Sequence, residues 1–95
     1  MFIANLIEQS RLVRKFNVIT NEGLYEVIYN GTGMGYEEII VNGEIACRTN
    51  SYLWYVPQFE FLIGNTSAKV EVSVSVWMKI QHFNLIIAGV SVYSE

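Results

Sequence analysis

The sequence predicts an all-β fold, an antiparallel β-sandwich of about eight short strands linked by hairpins, and three observations predict it. From Arg14 onward the apolar residues recur at every second position rather than at the 3.6-residue spacing of a helix. β-Branched and aromatic residues fill the segments, while Gly, Asn and Ser fill the gaps. Hairpin signals return roughly every 10 to 15 residues, which favours antiparallel pairing over a parallel sheet with crossover helices. A chain of 95 residues has length for one core, so residues 1–95 are read as a single domain.

The N-terminal residues 1–13 admit two readings. As a helix they would put Phe2, Ile3, Leu6, Ile7 and Val13 on one face. As a strand they would pair with residues 14–20 through a turn at Ser10-Arg11, and the β character of everything downstream favours the strand. Asn21-Glu22-Gly23 suits a three-residue hairpin with Gly23 in the left-handed region. Between Leu24 and Asn30, Tyr25, Val27 and Tyr29 share one face, with Glu26 opposite. The run GTGMG, residues 31–35, then punctuates the chain before the strand YEEIIV. Asn42-Gly43 separates that strand from EIACRT, and since both residues tolerate positive φ the pair predicts a type I′ turn.

Pro57 would delete a ladder hydrogen bond in mid-sheet, so it marks a strand boundary or an edge between SYLWYV and QFEFLIG. Phe59, Phe61 and Ile63 alternate around Glu60, and Asn65-Thr66-Ser67 is read as the next turn. The clearest strand is AKVEVSVSVWM. Val70, Val72, Val74 and Val76 fall on one face and Glu71, Ser73, Ser75 and Trp77 on the other. Phe83, Leu85 and Ile87 repeat the alternation. The inward set is expected to include Val27, Tyr29, Ile39, Val41, Phe59, Phe61, Val70, Val72, Val74, Phe83 and Leu85.

Composition narrows the function classes. Six Lys and Arg against nine Glu, with no Asp, give a net charge of −3, so a phosphate backbone finds little to neutralise and no nucleic-acid partner is expected. No stretch approaches the roughly 18 consecutive apolar residues of a spanning helix, so no membrane partner is expected either. Cys47, the single cysteine, cannot form an internal disulfide, and the opening MFIANLIEQSR lacks a basic and then apolar leader pattern. A cytoplasmic protein is the expectation, and it gives the sequons at Asn30 and Asn65 no use.

The chemistry-bearing residues are sparse. A phosphate cradle at GTGMG would need a helix directly behind it, and a strand follows instead. Cys47 and His82 are the only thiol and imidazole, yet Cys47 lies in phase with Ile45 as a small buried hydrophobe and His82 reads as a strand-edge residue. One Cys and one His cannot furnish a metal site without converging carboxylates. Glu37 and Glu38 are adjacent, so they point to opposite faces and read as solvation and edge protection. Arg11, Arg14 and Lys15 read as a small solvated basic spot. No catalytic residue, cofactor or metal is expected, and the chain is not read as an enzyme.

Two Trp, six Tyr and five Phe are more than the inward faces require. Trp77 is in phase with Glu71, Leu62 with Glu60 and Ile86 with Asn84, hence outward, and both faces of SYLWYV are apolar. Outward side chains of this size in such number indicate a contact surface. Tyr55, Leu62, Trp77 and Ile86 are the candidate interface residues.

The order of these elements resembles a known family. FNVITNEGLYEVIYNGTGMGYEEIIVNGE, then QFEFLIGNTSAKVEVSVSV, then FNLIIAG, is similar to the domain of Fas apoptotic inhibitory molecule. Shared features are an aromatic-led first strand, an acidic-Gly turn, a Gly-bearing loop, a strand closing on Asn-Gly, an F-x-F-x-x-G segment and a last alternating strand ending in Gly. The resemblance covers about residues 16–90 and rests on turn and core positions. It implies a compact β-sandwich without catalytic machinery that acts by protein contact, and it assigns no functional residue. The expected function is a non-catalytic interaction module that forms a homo-oligomer, with another protein as a possible partner. The alternative is a carbohydrate- or small-ligand-binding sandwich with Tyr52, Trp54 and Tyr55 as a stacking platform.

Overall fold

A computed structural model describes residues 2–33, 36–50 and 58–95. Among the described residues there are nine strands and no helix: β1 (Ile3–Gln9), β2 (Val13–Thr20), β3 (Gly23–Gly33), β4 (Tyr36–Val41), β5 (Glu44–Asn50), β6 (Gln58–Ile63), β7 (Thr66–Val74), β8 (Ile80–Ile87) and β9 (Val90–Ser94). They form two antiparallel sheets, β1-β2-β3-β4-β5 and β6-β7-β8-β9, in which every strand pairs with its neighbour in sequence. The result is a meander folded into two layers. Of residues 1–13, Ile3–Gln9 form a strand and not a helix, with Leu6 opposite Phe16 and Gln9 opposite Arg14.

The layers meet at both edges, β5 lying beside β6 and β1 beside β9. Register shifts in β1–β2, β3–β4, β4–β5, β7–β8 and β8–β9 supply the curl. Each inserts an unpaired residue and raises the local twist, which brings the outer strands of the two sheets together. The space between is one aromatic and aliphatic core. Phe83 stacks on Phe16 with centroids 5.7 Å apart and meets the edge of Tyr29 at 5.5 Å. Every residue expected to face inward is buried except Val41, which is half-buried against the core.

Turn chemistry explains where strands end. Asn42 and Gly43 both take positive φ, 51° and 81°, as a type I′ hairpin demands. Two expected turns shift. The β2–β3 loop is Asn21-Glu22 alone, because Gly23 is already paired with Thr20, at φ 136°. The β6–β7 turn is Gly64-Asn65, with Gly64 at φ 62°, since Ile63 already pairs with Thr66. β7 ends at Val74, so Val76 and Trp77 lie in a turn and not on the strand. Pro57 lies outside the described residues.

Candidate functional site

Three surface features could serve a partner, and the first is one the alternation pattern hides. On the outer face of the first sheet, Ile3 lies opposite Ile19 and Ile19 opposite Leu24, a lane of three aliphatics running across the strands. A second lane runs Ile28, Ile40, Ile45 across β3, β4 and β5. Leu24 is 65% exposed, and Ile3, Ile19 and Ile45 are also exposed, as is Ile7 at the β1 bulge. Beside the first lane Asn5, Asn17 and Glu26 form a polar strip, Glu26 separating Leu24 from Ile28 on β3, and Lys15 pairs with Glu26 at 3.5 Å. The signal was present in LYEVIYN, where Leu24 and Ile28 share the face of Glu26. Reading the opposite face as polar on the strength of Glu26 alone missed them.

The second feature is an open groove of about 530 Å³ on the outer face of the second sheet, lined by Glu60, Leu62, Lys69 and Ile86. Leu62 is exposed and Ile86 half-buried, so two of the expected interface residues do converge. Trp77 does not join them. It sits in the β7–β8 turn, at the end of β7 opposite to the Gly64-Asn65 turn beside Leu62. Tyr55, and with it Tyr52 and Trp54 of the aromatic platform, lies outside the described residues.

The third feature is the Trp77 turn itself, held against the β1–β2 turn. The Arg11 guanidinium donates to the Trp77 carbonyl at 2.8 Å, and the Ile80 N–H donates to the Arg11 carbonyl at 3.0 Å.

Polar groups inside the first sheet overturn two expectations. Glu37 is 0% exposed and accepts a hydrogen bond from the Tyr29 hydroxyl at 2.7 Å. It belongs to the core side because it is in phase with Ile39, and only Glu38 faces outward, where Arg48 meets it at 3.2 Å. Arg14 is not part of a solvated basic spot. It is buried, and its guanidinium grips both carboxylate oxygens of Glu95, Nε to Oε2 at 2.6 Å and Nη2 to Oε1 at 3.0 Å. Its remaining donors reach the Ser10 and Val13 carbonyls. Hydrogen bonding to Arg14 holds the Glu95 carboxyl below its ordinary value, against an opposing push from burial, while burial and the bond to Glu95 push the Tyr93 hydroxyl up.

GTGMG has a packing reason. A Cβ on Gly31 would meet the Tyr29 hydroxyl at 2.8 Å, and Tyr29 is itself buried, so the glycine makes room for the Tyr29–Glu37 pair.

Cys47 and His82 stay apart. Ile39 pairs with Cys47 and Ile40 with Ile45, which leaves Ala46 as the bulged residue and puts Cys47 and Ile45 on opposite faces instead of in phase. Cys47 packs half-buried against the core and burial pushes its thiol pKa up, away from nucleophilic reactivity. His82 is exposed on the other sheet, opposite Ser73. Among the described residues no three His, Cys or Glu side chains gather to hold a metal.

The fold therefore defines a two-sheet antiparallel β protein whose prominent surface features are apolar contacts. No family model, curated protein or solved structure matches the chain.

Proposed function

We propose that this chain is a non-catalytic interaction module that self-associates through the outer face of its first sheet. The observation that carries the reading is the pair of aliphatic lanes, Ile3-Ile19-Leu24 and Ile28-Ile40-Ile45, which meet on β3 either side of Glu26. Contiguous apolar surface of this kind is rare on a monomer. The pattern also matches itself. A two-fold axis lying in the plane of the face along β2 sets the lane Ile3-Ile19-Leu24 against its own copy, Ile19 on Ile19 and Ile3 on Leu24, and the strip Asn5-Asn17-Glu26 against its own copy. Five strands about 4.8 Å apart and a similar reach along the strands give a projected face of roughly 500 Å². Two such faces reach about 1,000 Å², the lower bound of a specific interface, so a micromolar dimer is the expected strength. The resemblance to the Fas apoptotic inhibitory molecule domain supports the same reading, contact without catalysis.

Light scattering after size exclusion tests it. The wild type runs above the 10.9 kDa monomer at tens of micromolar, and Ile19→Glu with Leu24→Glu returns it to a monomer with an unchanged melting midpoint. A wild type that stays monomeric across that concentration range removes the proposal.

A further inference from the structure

We propose that the turn carrying Val76, Trp77 and Met78 docks on an anionic membrane surface, a role beyond the self-association proposed above and independent of it. Val76 is 79% exposed and Trp77 77%, and Met78 is exposed beside them. They form the tip of the β7–β8 connection, and the tip is held in shape. The Ser75 N–H donates to the Lys79 carbonyl at 2.8 Å, the Met78 N–H to the Ser75 carbonyl at 3.0 Å, and Arg11 caps the Trp77 carbonyl. Met78 takes φ 56°, a conformation that disfavours any residue with a Cβ. Three apolar side chains are thus presented outward by an ordered and strained turn.

Charge selects the occupant. The chain has six basic residues, and the ion pairs among the described residues engage Arg14, Lys15, Arg48 and Lys69. Arg11 and Lys79 are the two left out, both are exposed, and both flank the Trp77 tip. The carboxylate tied to the β1–β2 turn that holds the tip is already engaged, Glu95 by Arg14, whose guanidinium also reaches the Ser10 carbonyl. A protein of net charge −3 therefore offers positive charge outside any ion pair beside the most exposed aromatic ring among the described residues. Screening over about 10 Å in ordinary salt lets those two local cations outweigh the distant net charge.

Size argues against a second copy at this place. The three side chains expose roughly 400 Å², about half of what each partner of a stable protein interface buries. A bilayer interface asks less, because a few inserted apolar side chains with cations at headgroup level suffice, and Trp is enriched at that depth. Such peripheral docking needs no long apolar run, so the missing spanning segment does not bear on it.

Co-sedimentation of the full chain with vesicles tests the proposal. Phosphatidylcholine vesicles with roughly 30% phosphatidylserine should retain the protein, pure phosphatidylcholine much less, and roughly 0.5 M salt should release it. Trp77→Ala should weaken retention about tenfold, and Arg11→Gln with Lys79→Gln about 25-fold. Val76→Asp, at the most exposed position, is the second apolar probe should Trp77→Ala fold poorly. Ser67→Ala, exposed at the end of β7 away from the tip, should leave retention unchanged. Absence of wild-type binding to the anionic vesicles overturns the proposal, as does binding that neither Trp77→Ala nor Val76→Asp weakens. A Trp77 variant that lowers the chain's mass in solution, with no vesicle binding by the wild type, would assign the tip to a second copy and also overturn it.

Discussion

The two sheets treat their faces in opposite ways. The second sheet keeps closer to the simple rule, with only apolar residues such as Phe59, Phe61, Val70, Val72, Phe83 and Leu85 inside and Glu60, Lys69, Glu71, Ser73 and His82 outside, Leu62 and Val90 being the exposed aliphatics there. The first sheet departs from it on both faces. Its inner side buries Arg14, Thr20 and Glu37 alongside Phe16, Val18 and Ile39, while its outer side exposes Ile3, Ile19, Leu24 and Ile45. All the buried polar and charged residues among those described lie on the first sheet. A face that meets only the core can be built from packing alone. A sheet that places ionisable groups inside and aliphatics outside carries costs that packing does not explain, and it is there that contact and specificity are to be sought.

What the sheets share is the aromatic centre, and removing it gives the largest effect. Phe83 projects from the second sheet onto Phe16 and Tyr29 of the first and onto Tyr93. Phe83→Ala should cost about 3–5 kcal/mol in urea unfolding, enough to unfold a marginal 95-residue domain. A loss under about 1 kcal/mol would mean that the two layers are not held by this cluster.

The sheets should differ sharply in how they tolerate loss of a cation. Arg14→Met strands the Glu95 carboxylate and the Ser10 and Val13 carbonyls, with the guanidinium 7% and Glu95 25% exposed. A loss of about 2–4 kcal/mol is expected, somewhat below a fully buried pair because Glu95 keeps some water. Lys69→Met breaks a 3.5 Å pair with Glu71 on the open face of the second sheet and should change stability by less than about 0.5 kcal/mol. Equal effects at the two sites would erase the contrast between the layers.

That contrast also decides what was legible in the sequence. Alternation alone placed the second sheet's core correctly, because the inward positions of β6, β7 and β8 are uniformly apolar and uncharged. In the first sheet the same rule misassigned Glu37, although its phase with Ile39 and Val41 was visible, since a carboxylate is ordinarily read as solvated. Arg14 was unreadable as a buried residue because its partner Glu95 is distant in sequence, at the far end of β9. The Ala46 bulge is a property of two paired strands and leaves no mark in one of them, so Cys47 and Ile45 looked in phase. The end of β7 escaped because VSVSVW alternates straight into the turn with no Gly, Pro or Asn to stop it, and Met78 supplies the positive φ instead. Trp77 was rightly read as outward but placed on a strand, which hid its position at a tip beside Arg11 and Lys79.

The smallest effect is the pH dependence of the Arg14 latch, and its sign follows from the Glu95 carboxyl. Hydrogen bonding to Arg14 lowers it from an ordinary value near 4.5, so the folded chain holds the proton less tightly than the unfolded one. The pair's contribution is then complete above that ordinary value and is lost as pH falls through the lower folded value. Wild type should lose stability on acidification over this window more steeply than Arg14→Met with Glu95→Gln, in which nothing is left to titrate. Melting midpoints of the two proteins from neutral pH down to about pH 3 supply the measurement. Lys69→Met with Glu71→Gln is the control on the second sheet, and it should track the wild type, because a solvent-exposed ion pair contributes little to stability. Parallel acid profiles for wild type and the Arg14→Met, Glu95→Gln double variant would show that the latch does not couple protonation to folding. The charged interior of the first sheet would then be a packing accident and not a fastener between β2 and the end of β9.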